Sequence, residues 1–216
     1  MKIDNKQNNI NFGWNAFTHK AITKKALEDI SISNKYKRII QNYSMAPDFD
    51  STRKLGDTHC YYKSSVDAYK RGKINAKTFY IEYIKKATAA FMEGNKIKAA
   101  KFIGRLLHFL QDVALTMHTK PKPKAILEKA VDEKMHRKFE TQTLLKQGQY
   151  LKNYKKPPVS NKGLIQLFTE NVDFSTRSEQ VSNNNVSSWG NIAQEGINQA
   201  TTSSTILLQK MAHFFK

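Results

Sequence analysis

The sequence predicts an all-α protein that folds as one domain. Most segments place apolar residues three and four positions apart, which is the spacing of one face of an α-helix. The strict alternation of apolar and polar residues that is typical of strands is not convincing anywhere in the sequence. Glycine and proline number only 9 and 5 among 216 residues, which argues against a turn-rich all-β chain. We therefore expect a single-domain bundle of several helices.

Polar and proline-containing segments separate the predicted helices. Clustered Pro, Gly, Ser, Thr and Asp residues predict a loop over residues 44–58, and Gly94-Asn95 marks a helix end. Prolines break the chain over residues 119–124 and again within a predicted loop over residues 154–163. Residues 174–188 are polar and also predict a loop. The predicted helices cover about residues 16–30, 34–43, 61–71, 76–92, 96–115, 125–146, 165–172 and 189–215.

The chain is strongly basic. It has 36 Lys and Arg against 18 Asp and Glu, a formal net charge of +18. We expect attraction to anionic surfaces, and charge alone favours nucleic acid and acidic lipid equally. The hydrophobic fraction of 39% excludes a wholly disordered chain. The single cysteine, Cys60, excludes an internal disulfide and a multi-cysteine zinc site, and no apolar run approaches the length of a membrane span.

Two histidine–acid pairs indicate metal binding. His108 and Asp112 are four residues apart in a strongly helical segment, and His136 and Glu140 repeat this spacing on another predicted helix. The spacing places both members of a pair on one helix face. An imidazole and a carboxylate make half a zinc site, although either pair alone is more often a surface hydrogen-bonding pair. His118 lies about 280° around an ideal helix from His108, which suggests separate metal ions unless the helix ends first.

A longer ordered pattern includes these two pairs. Its parts, in chain order, are Trp14-Asn-Ala-Phe-Thr-His19, Ala46-Pro47-Asp48, His59, His108-x3-Asp112-x5-His118 and His136-x3-Glu140. The combined pattern resembles the bacterial zinc-dependent phospholipases C and their relatives, the fungal single-strand-specific zinc nucleases. The resemblance extends from Trp14 to Glu140, and beyond Glu140 only the closing helix is similar.

The resemblance implies a helical domain around a trinuclear zinc site, with Asp112 bridging two of the three ions. One ion would be held by Asp48, His59, His108 and Asp112, a second by His118, His136 and Glu140, and a third by His19, Asp112 and the α-amine and carbonyl of Trp14. Five of the six histidines are then used. The sixth, His213, has no acidic neighbour, and we expect it on a helix face.

Trp14 can chelate zinc through its amine only if it is the first residue of the mature chain. The resemblance therefore implies that residues 1–13 are a disordered leader or pro-segment and that the domain covers residues 14–216. Without the resemblance, a tryptophan that anchors the first helix is the simpler interpretation. In such a site zinc ions neutralise phosphoryl oxygens and acidify water. We hypothesise that Asp48 also orients the attacking water or takes its proton.

The resemblance leaves two substrate classes. A phospholipase C would release diacylglycerol and a phosphorylated headgroup, and the alternative is a zinc nuclease that acts on single-stranded nucleic acid. Glu140 and the lack of a disulfide favour the phospholipases, whereas the five-residue spacing from Trp14 to His19 is more typical of the nucleases. A third interpretation is a basic helical binding module without catalysis, which would have no need of three zinc ions.

The expected partner is a phospholipid surface. Surface lysines would favour anionic membranes, nucleic acid would be bound only under the nuclease alternative, and no obligate protein partner is inferred. Phe49 follows Asp48, where its ring could pack on the quaternary ammonium of phosphatidylcholine; a core aromatic is an equally good interpretation of this residue. The resemblance also implies secretion, although residues 1–13 contain no recognisable signal peptide.

Overall fold

The computed structural model describes residues 16–49, 75–115, 118–119, 126–182 and 189–216. Within these ranges no strand occurs, so the all-α prediction is confirmed. None of the described helices is both long and apolar enough to cross a bilayer. The helices are α1 (Ala16–Ala26), α2 (Asn34–Tyr43), α3 (Ala76–Met92), α4 (Lys96–Asp112), α5 (Ile126–Lys152), α6 (Leu164–Ser182) and α7 (Trp189–Met211), with 3₁₀ helices at Ala46–Asp48 and Ala212–Phe215. The helix predicted over 61–71 lies outside the described residues.

Helix α4 is the central element of the described fold. It contacts α1, α2, α3, α6 and α7. All of its residues from Leu106 to Asp112 are buried, including His108 and Gln111. The carboxyl end of α4 is therefore enclosed on every side, and polar side chains there need partners within the protein.

The face of α4 that meets α2 and α3 is apolar and closely packed. The rings of Phe109 and Phe79 stack with their centroids 5.1 Å apart. Gly104 allows α2 to approach, because a Cβ atom at this position would lie 2.5 Å from the Ile40 carbonyl oxygen and 2.7 Å from the Tyr43 Cβ. Burial of apolar side chains over this face is the main stabilisation of the helix pair.

Local sequence signals set the junction between α3 and α4. Gly94 adopts a φ of +70°, a left-handed conformation that glycine tolerates and that ends α3. The Asn95 side chain then accepts a hydrogen bond from the Lys98 backbone N–H at 3.0 Å and caps α4. At the start of α3, Asn75 and Thr78 form a capping box. The predicted helix end at Gly94-Asn95 is confirmed.

Four predicted helix ends are wrong. Helix α1 ends at Ala26 and α4 at Asp112, each three or four residues early, while α5 continues to Lys152. The largest error lies in α6, which extends to Ser182 through a segment predicted as a loop. Its hydroxyl side chains do not interrupt the helix, because Thr176 and Ser178 donate to backbone carbonyls four residues earlier.

Candidate metal centre

The last turn of α4 presents His108 and Asp112 on one face, as their spacing predicts. His108 Nε2 lies 3.1 Å from Asp112 Oδ2, and both side chains are fully buried. For His108 and Asp112, the alternative interpretation as an exposed hydrogen-bonding pair is therefore wrong. Asp112 is also the last residue of α4, where the helix dipole places partial negative charge. A carboxylate at this end of a helix favours a nearby cation.

Two other elements bring polar groups to the same place. From α1, His19 Nε2 lies 3.3 Å from Asp112 Oδ1, and the His19 and His108 ring centroids are 4.0 Å apart. From the 3₁₀ helix Ala46–Asp48, Asp48 Oδ1 lies 3.8 Å from His108 Nε2. His19, His108 and Asp112 each offer one ligand atom within 4.8 Å of the others, a geometry in which one metal ion could touch all three.

His118 joins the cluster because α4 ends early. Its Nδ1 lies 3.4 Å from Asp112 Oδ1, although an unbroken helix would have turned it away. The turn is held from α6, where the Ser175 hydroxyl donates to the Val113 carbonyl at 2.8 Å and lies 2.9 Å from the Thr119 hydroxyl. The helical spacing allows His118 to lie near His108 only if the helix ends before His118, and α4 does end there.

The structure places the remaining predicted residues less completely. Glu140 lies on α5 and is buried. His136 lies one turn earlier on the same helix, and its side chain is not among those that the structure describes. Trp14 and His59 lie outside the described residues, as do residues 1–13. The ring of Phe49 is 68% exposed, so the interpretation of Phe49 as a core aromatic is wrong. His213 is exposed in the closing 3₁₀ helix.

Hydrogen bonds on the far side of both imidazoles fix which nitrogen faces the cluster. His108 Nδ1 lies 2.9 Å from the Ser44 carbonyl oxygen. A carbonyl only accepts, so Nδ1 carries the proton and the lone pair of a neutral ring sits on Nε2. His19 Nδ1 makes a 2.8 Å contact with Gln111 Oε1, which gives the same orientation. Metal-binding histidines have this arrangement.

These residues fit a zinc ion better than a hydrogen-bonded cluster. Asp48 Oδ2 is buried without a hydrogen-bond partner in the described part of the chain, and the buried His19 Nε2 has only its 3.3 Å contact with Asp112 Oδ1. Lone pairs of neutral imidazoles facing carboxylate oxygens repel unless a cation lies between them. Zinc bonds of about 2.0–2.1 Å in a tetrahedron place ligand atoms roughly 3.3 Å apart, close to the 3.1–3.4 Å contacts around Asp112.

Burial and charge act in opposite directions on the two imidazoles. Burial lowers the pKa of His19, but the Asp112 and Asp48 carboxylates more than offset it and raise this pKa above 6.5. Burial also lowers the pKa of His108, and here the charges of Asp112 and Asp48 do not fully compensate. His108 is therefore the more readily available neutral ligand.

Four contributors to the site were missed in the sequence: the Ser44 carbonyl and the side chains of Gln111, Thr23 and Ser204. Only Gln111 carried a usable signal, since it is a polar residue inside the apolar run LLHFLQDVAL, one position before a predicted ligand. The other three belong to α1, α7 and the end of α2. These segments are far apart along the chain, so the sequence did not predict that they lie together at the site.

Comparison with solved structures supports the fold. The alpha toxin of Clostridium absonum aligns over 94% of this chain and 65% of its own with a TM-score of 0.69 and 18% identity. The alpha-toxin of Clostridium perfringens, from the avian strain SWCP, aligns over 95% of this chain and 66% of its own with a TM-score of 0.70 and 16% identity. The chain thus spans just under two thirds of each toxin, and at this identity the likeness is one of fold.

Comparison by sequence identifies the family. No curated protein sequence matches the chain. The family model described as zinc dependent phospholipase C matches residues 18–192, a range that contains all the described cluster residues. This match confirms the resemblance carried by the ordered motifs, and the chain belongs to the zinc dependent phospholipase C family.

Proposed function

We propose that this protein is a zinc-dependent phospholipase C that hydrolyses phospholipids to diacylglycerol and a phosphorylated headgroup. The observation that carries this proposal is the buried cluster of His19, His108 and Asp112, with Asp48 and His118 beside it, in a chain of the zinc dependent phospholipase C family. The nuclease alternative is not favoured by the family match. A binding module without catalysis gives no reason for two buried imidazoles that direct Nε2 at one buried carboxylate.

The ligand set that we propose extends the described cluster to three zinc ions. His19, Asp48, His108, Asp112 and His118 come from the described cluster, and Trp14, His59, His136 and Glu140 complete the set. The two oxygens of Asp112 face different rings: Oδ2 lies near His108, and Oδ1 lies near His19 and His118. This division supports a bridging role for Asp112.

Asp48 is the proposed proton acceptor. Bound zinc supplies positive charge that neutralises the phosphoryl oxygens and lowers the pKa of water. Attack of water on phosphorus forms one P–O bond and breaks the P–O bond to glycerol, whose oxygen leaves with a proton. Asp48 is 2% exposed, its Oδ1 faces His108, and its Oδ2 makes no hydrogen bond to a described residue, so Oδ2 can orient the water and accept its proton.

The surroundings of Asp48 support a membrane substrate. Phe49 exposes 68% of its surface directly beside Asp48 and could pack on a choline headgroup by a cation–π interaction. The net charge of +18 favours anionic vesicles, with binding that weakens as salt is added. Secretion and removal of residues 1–13 belong to this proposal as well, because Trp14 needs a free amine to bind zinc.

The proposal is tested by diacylglycerol release from vesicles of phosphatidylcholine mixed with an anionic lipid. The protein begins at Trp14, is loaded with zinc, and is compared with the chain that begins at Met1. We expect release that a chelator abolishes and added zinc restores. Zinc-loaded protein that releases nothing but cleaves single-stranded DNA would contradict the proposal and support the nuclease alternative.

Two variants separate the roles of neighbouring residues in that assay. Asp48→Asn should lose most turnover; near-normal turnover with full zinc content would exclude a catalytic role for Asp48. Phe49→Ala should reduce hydrolysis of phosphatidylcholine more than that of a lipid without choline. Phe214→Ala is the matched control, because Phe214 is also an exposed ring (46%) but lies in the closing 3₁₀ helix.

A further inference from the structure

Gln111 is a fully buried polar side chain whose amide lies between three elements. It belongs to the last turn of α4, directly before Asp112. Its Oε1 lies 2.8 Å from His19 Nδ1. Its Nε2 donates to the Thr23 hydroxyl of α1 at 3.0 Å and to the Ser204 hydroxyl of α7 at 3.1 Å. The amide thus connects one imidazole of the cluster to two buried hydroxyl groups.

The direction in which this amide faces decides the tautomer of His19. With Oε1 toward the ring, His19 Nδ1 carries the proton and Nε2 offers its lone pair to the cluster. If the amide were turned by 180°, its NH₂ group would face Nδ1, which would then have to accept. The proton would move to Nε2 and occupy the atom that a metal ion needs.

Two hydroxyl groups match the two N–H bonds of the amide in the observed orientation. Thr23 and Ser204 each take one hydrogen of the NH₂ group, and both residues are fully buried. Because these hydroxyl groups are buried, water cannot take the place of either one as an acceptor unless the helices move apart. If the amide were turned, both hydroxyls could donate to Oε1, but the NH₂ group would have only His19 Nδ1 as an acceptor and one buried N–H would be left without a partner.

We propose that Gln111 is a positioning residue for zinc, which holds His19 in the tautomer with its proton on Nδ1, and that Thr23 and Ser204 set the direction of the Gln111 amide. The inference rests on the zinc site of the proposed function but not on the identity of the substrate. Loss of an outer partner of a metal-binding histidine typically lowers metal affinity 10–100-fold, and we expect a loss of about this size.

The test is zinc affinity measured by competition with a chelator, without any activity assay. Gln111→Leu keeps the side chain buried but removes the acceptor, and we expect it to weaken zinc binding about 10–100-fold. Gln111→Glu can only accept, so we expect it to bind zinc within about threefold of the wild type, the rescue that a merely structural role would not give. Thr23→Val combined with Ser204→Ala should fall between these two.

Ser203→Ala is the matched control for Ser204→Ala. Ser203 is also a buried serine of α7, but it accepts from the Asn171 amide at 2.9 Å and does not contact Gln111 in the described hydrogen bonds. Its substitution should cost similar stability and leave zinc affinity unchanged. Circular dichroism of every variant restricts the comparison to folded protein.

A second readout follows the tautomer itself. Long-range ¹H–¹⁵N spectra of the zinc-free chain in alkaline buffer should show His19 with its proton on Nδ1 in the wild type and in Gln111→Glu, and a mixture in Gln111→Leu. A folded Gln111→Leu that binds zinc as tightly as the wild type would overturn the inference alone. A wild-type chain that binds no zinc would contradict the zinc site of the proposed function as well.

Discussion

Two faces of α4 are buried equally and held in different ways. On one face Phe109 stacks against Phe79 and Tyr83, with ring centroids 5.1 and 5.9 Å away. On the other face His108 and Asp112 lie among hydrogen bonds and carboxylate contacts from other elements. Apolar contact is non-directional and scales with buried area, whereas the polar face depends on the position and charge of each atom.

This difference predicts different responses to zinc. Each large apolar side chain buried on the first face contributes about 1.5–3 kcal/mol, whatever ions are present. On the second face, burial of an unpaired carboxylate costs several kcal/mol unless a cation compensates it. The stability of the polar face should therefore follow the zinc concentration, and that of the apolar face should not.

Asp112→Asn should have the largest effect. It removes a buried charge that faces His19, His108 and His118, so we expect zinc affinity to fall by at least about 100-fold, the upper value for loss of an outer partner. Zinc at 100 times its Kd stabilises the wild type by about 2.7 kcal/mol, and the variant should lose this gain. Thermal unfolding with and without zinc measures it, with the exposed Asp29→Asn as control. Equal zinc-induced shifts in Tm would contradict a central role for Asp112.

Acid should weaken the stabilisation by zinc. His19 has a raised pKa, so its charged form stabilises the zinc-free fold below about pH 6.5, and this contribution is lost as pH rises through the folded pKa. His108 has a lowered pKa, so its contribution is present above about pH 6.5 and is lost as pH falls. These two contributions oppose each other, whereas zinc needs both rings neutral. The zinc-induced rise in Tm should shrink steadily between about pH 7.5 and 5.5; a constant rise would contradict histidine ligation.

Gly104→Ala should break the close packing of α2 against α4. The added Cβ would meet the Ile40 carbonyl at 2.5 Å, so α2 and α4 must separate, at an expected cost of about 1–3 kcal/mol in unfolding free energy. Gly104 also lies one helical turn before His108, whose Nδ1 donates to the Ser44 carbonyl at the end of α2, so we expect a few-fold loss of zinc affinity as well. Gly148→Ala is the control, because no atom lies within 4 Å of its new Cβ, and it should stabilise α5 by up to about 1 kcal/mol. Denaturant unfolding measures both. An unchanged zinc affinity in Gly104→Ala would mean that His108 is positioned without the close approach of α2.

Ser175→Ala should have the smallest effect on the cluster itself, because in the described hydrogen bonds Ser175 contacts only the backbone and the residue next to the ligands. It removes the hydrogen bond to the Val113 carbonyl and the contact with Thr119, at about 1–3 kcal/mol for a buried group left unsatisfied. Because Thr119 follows His118, we also expect a modest, few-fold loss of zinc affinity. The control is Ser178→Ala, whose hydroxyl donates only within α6 in the described hydrogen bonds. An unchanged zinc affinity would mean that His118 is positioned without this contact.

The sequence predicted what is local and missed what is remote. Helical spacing was enough to place His108 and Asp112 on one face, since only four residues separate them. The end of α4 could not be predicted, because residues 113–116 (VALT) contain neither glycine nor proline. The helix ends where α6 supplies partners: Asn171 donates to the Leu110 carbonyl and Ser175 to the Val113 carbonyl. Those bonds depend on a segment predicted to be partly loop.

The ligand assignment shows the same division. Ordered motifs identified His19, Asp48 and His118 through resemblance to a family, not through any spacing that brings them together. In the structure His19 and His118 lie beside the Asp112 carboxylate, and Asp48 lies beside His108. Neither helical spacing nor the family motifs assign a role to Gln111, because that role arises only from the packing of α1 and α7 against α4.

The most direct test of the metal centre is anomalous scattering at the zinc edge from crystals of the zinc-loaded protein. We predict a peak about 2.0–2.1 Å from imidazole Nε2 of His19 or His108 and from an Asp112 oxygen. Both imidazoles should keep their Nδ1 hydrogen bonds to Gln111 and Ser44. A map with no peak beside Asp112, and with the histidines hydrogen-bonded directly to the carboxylates, would contradict a zinc site at the end of α4.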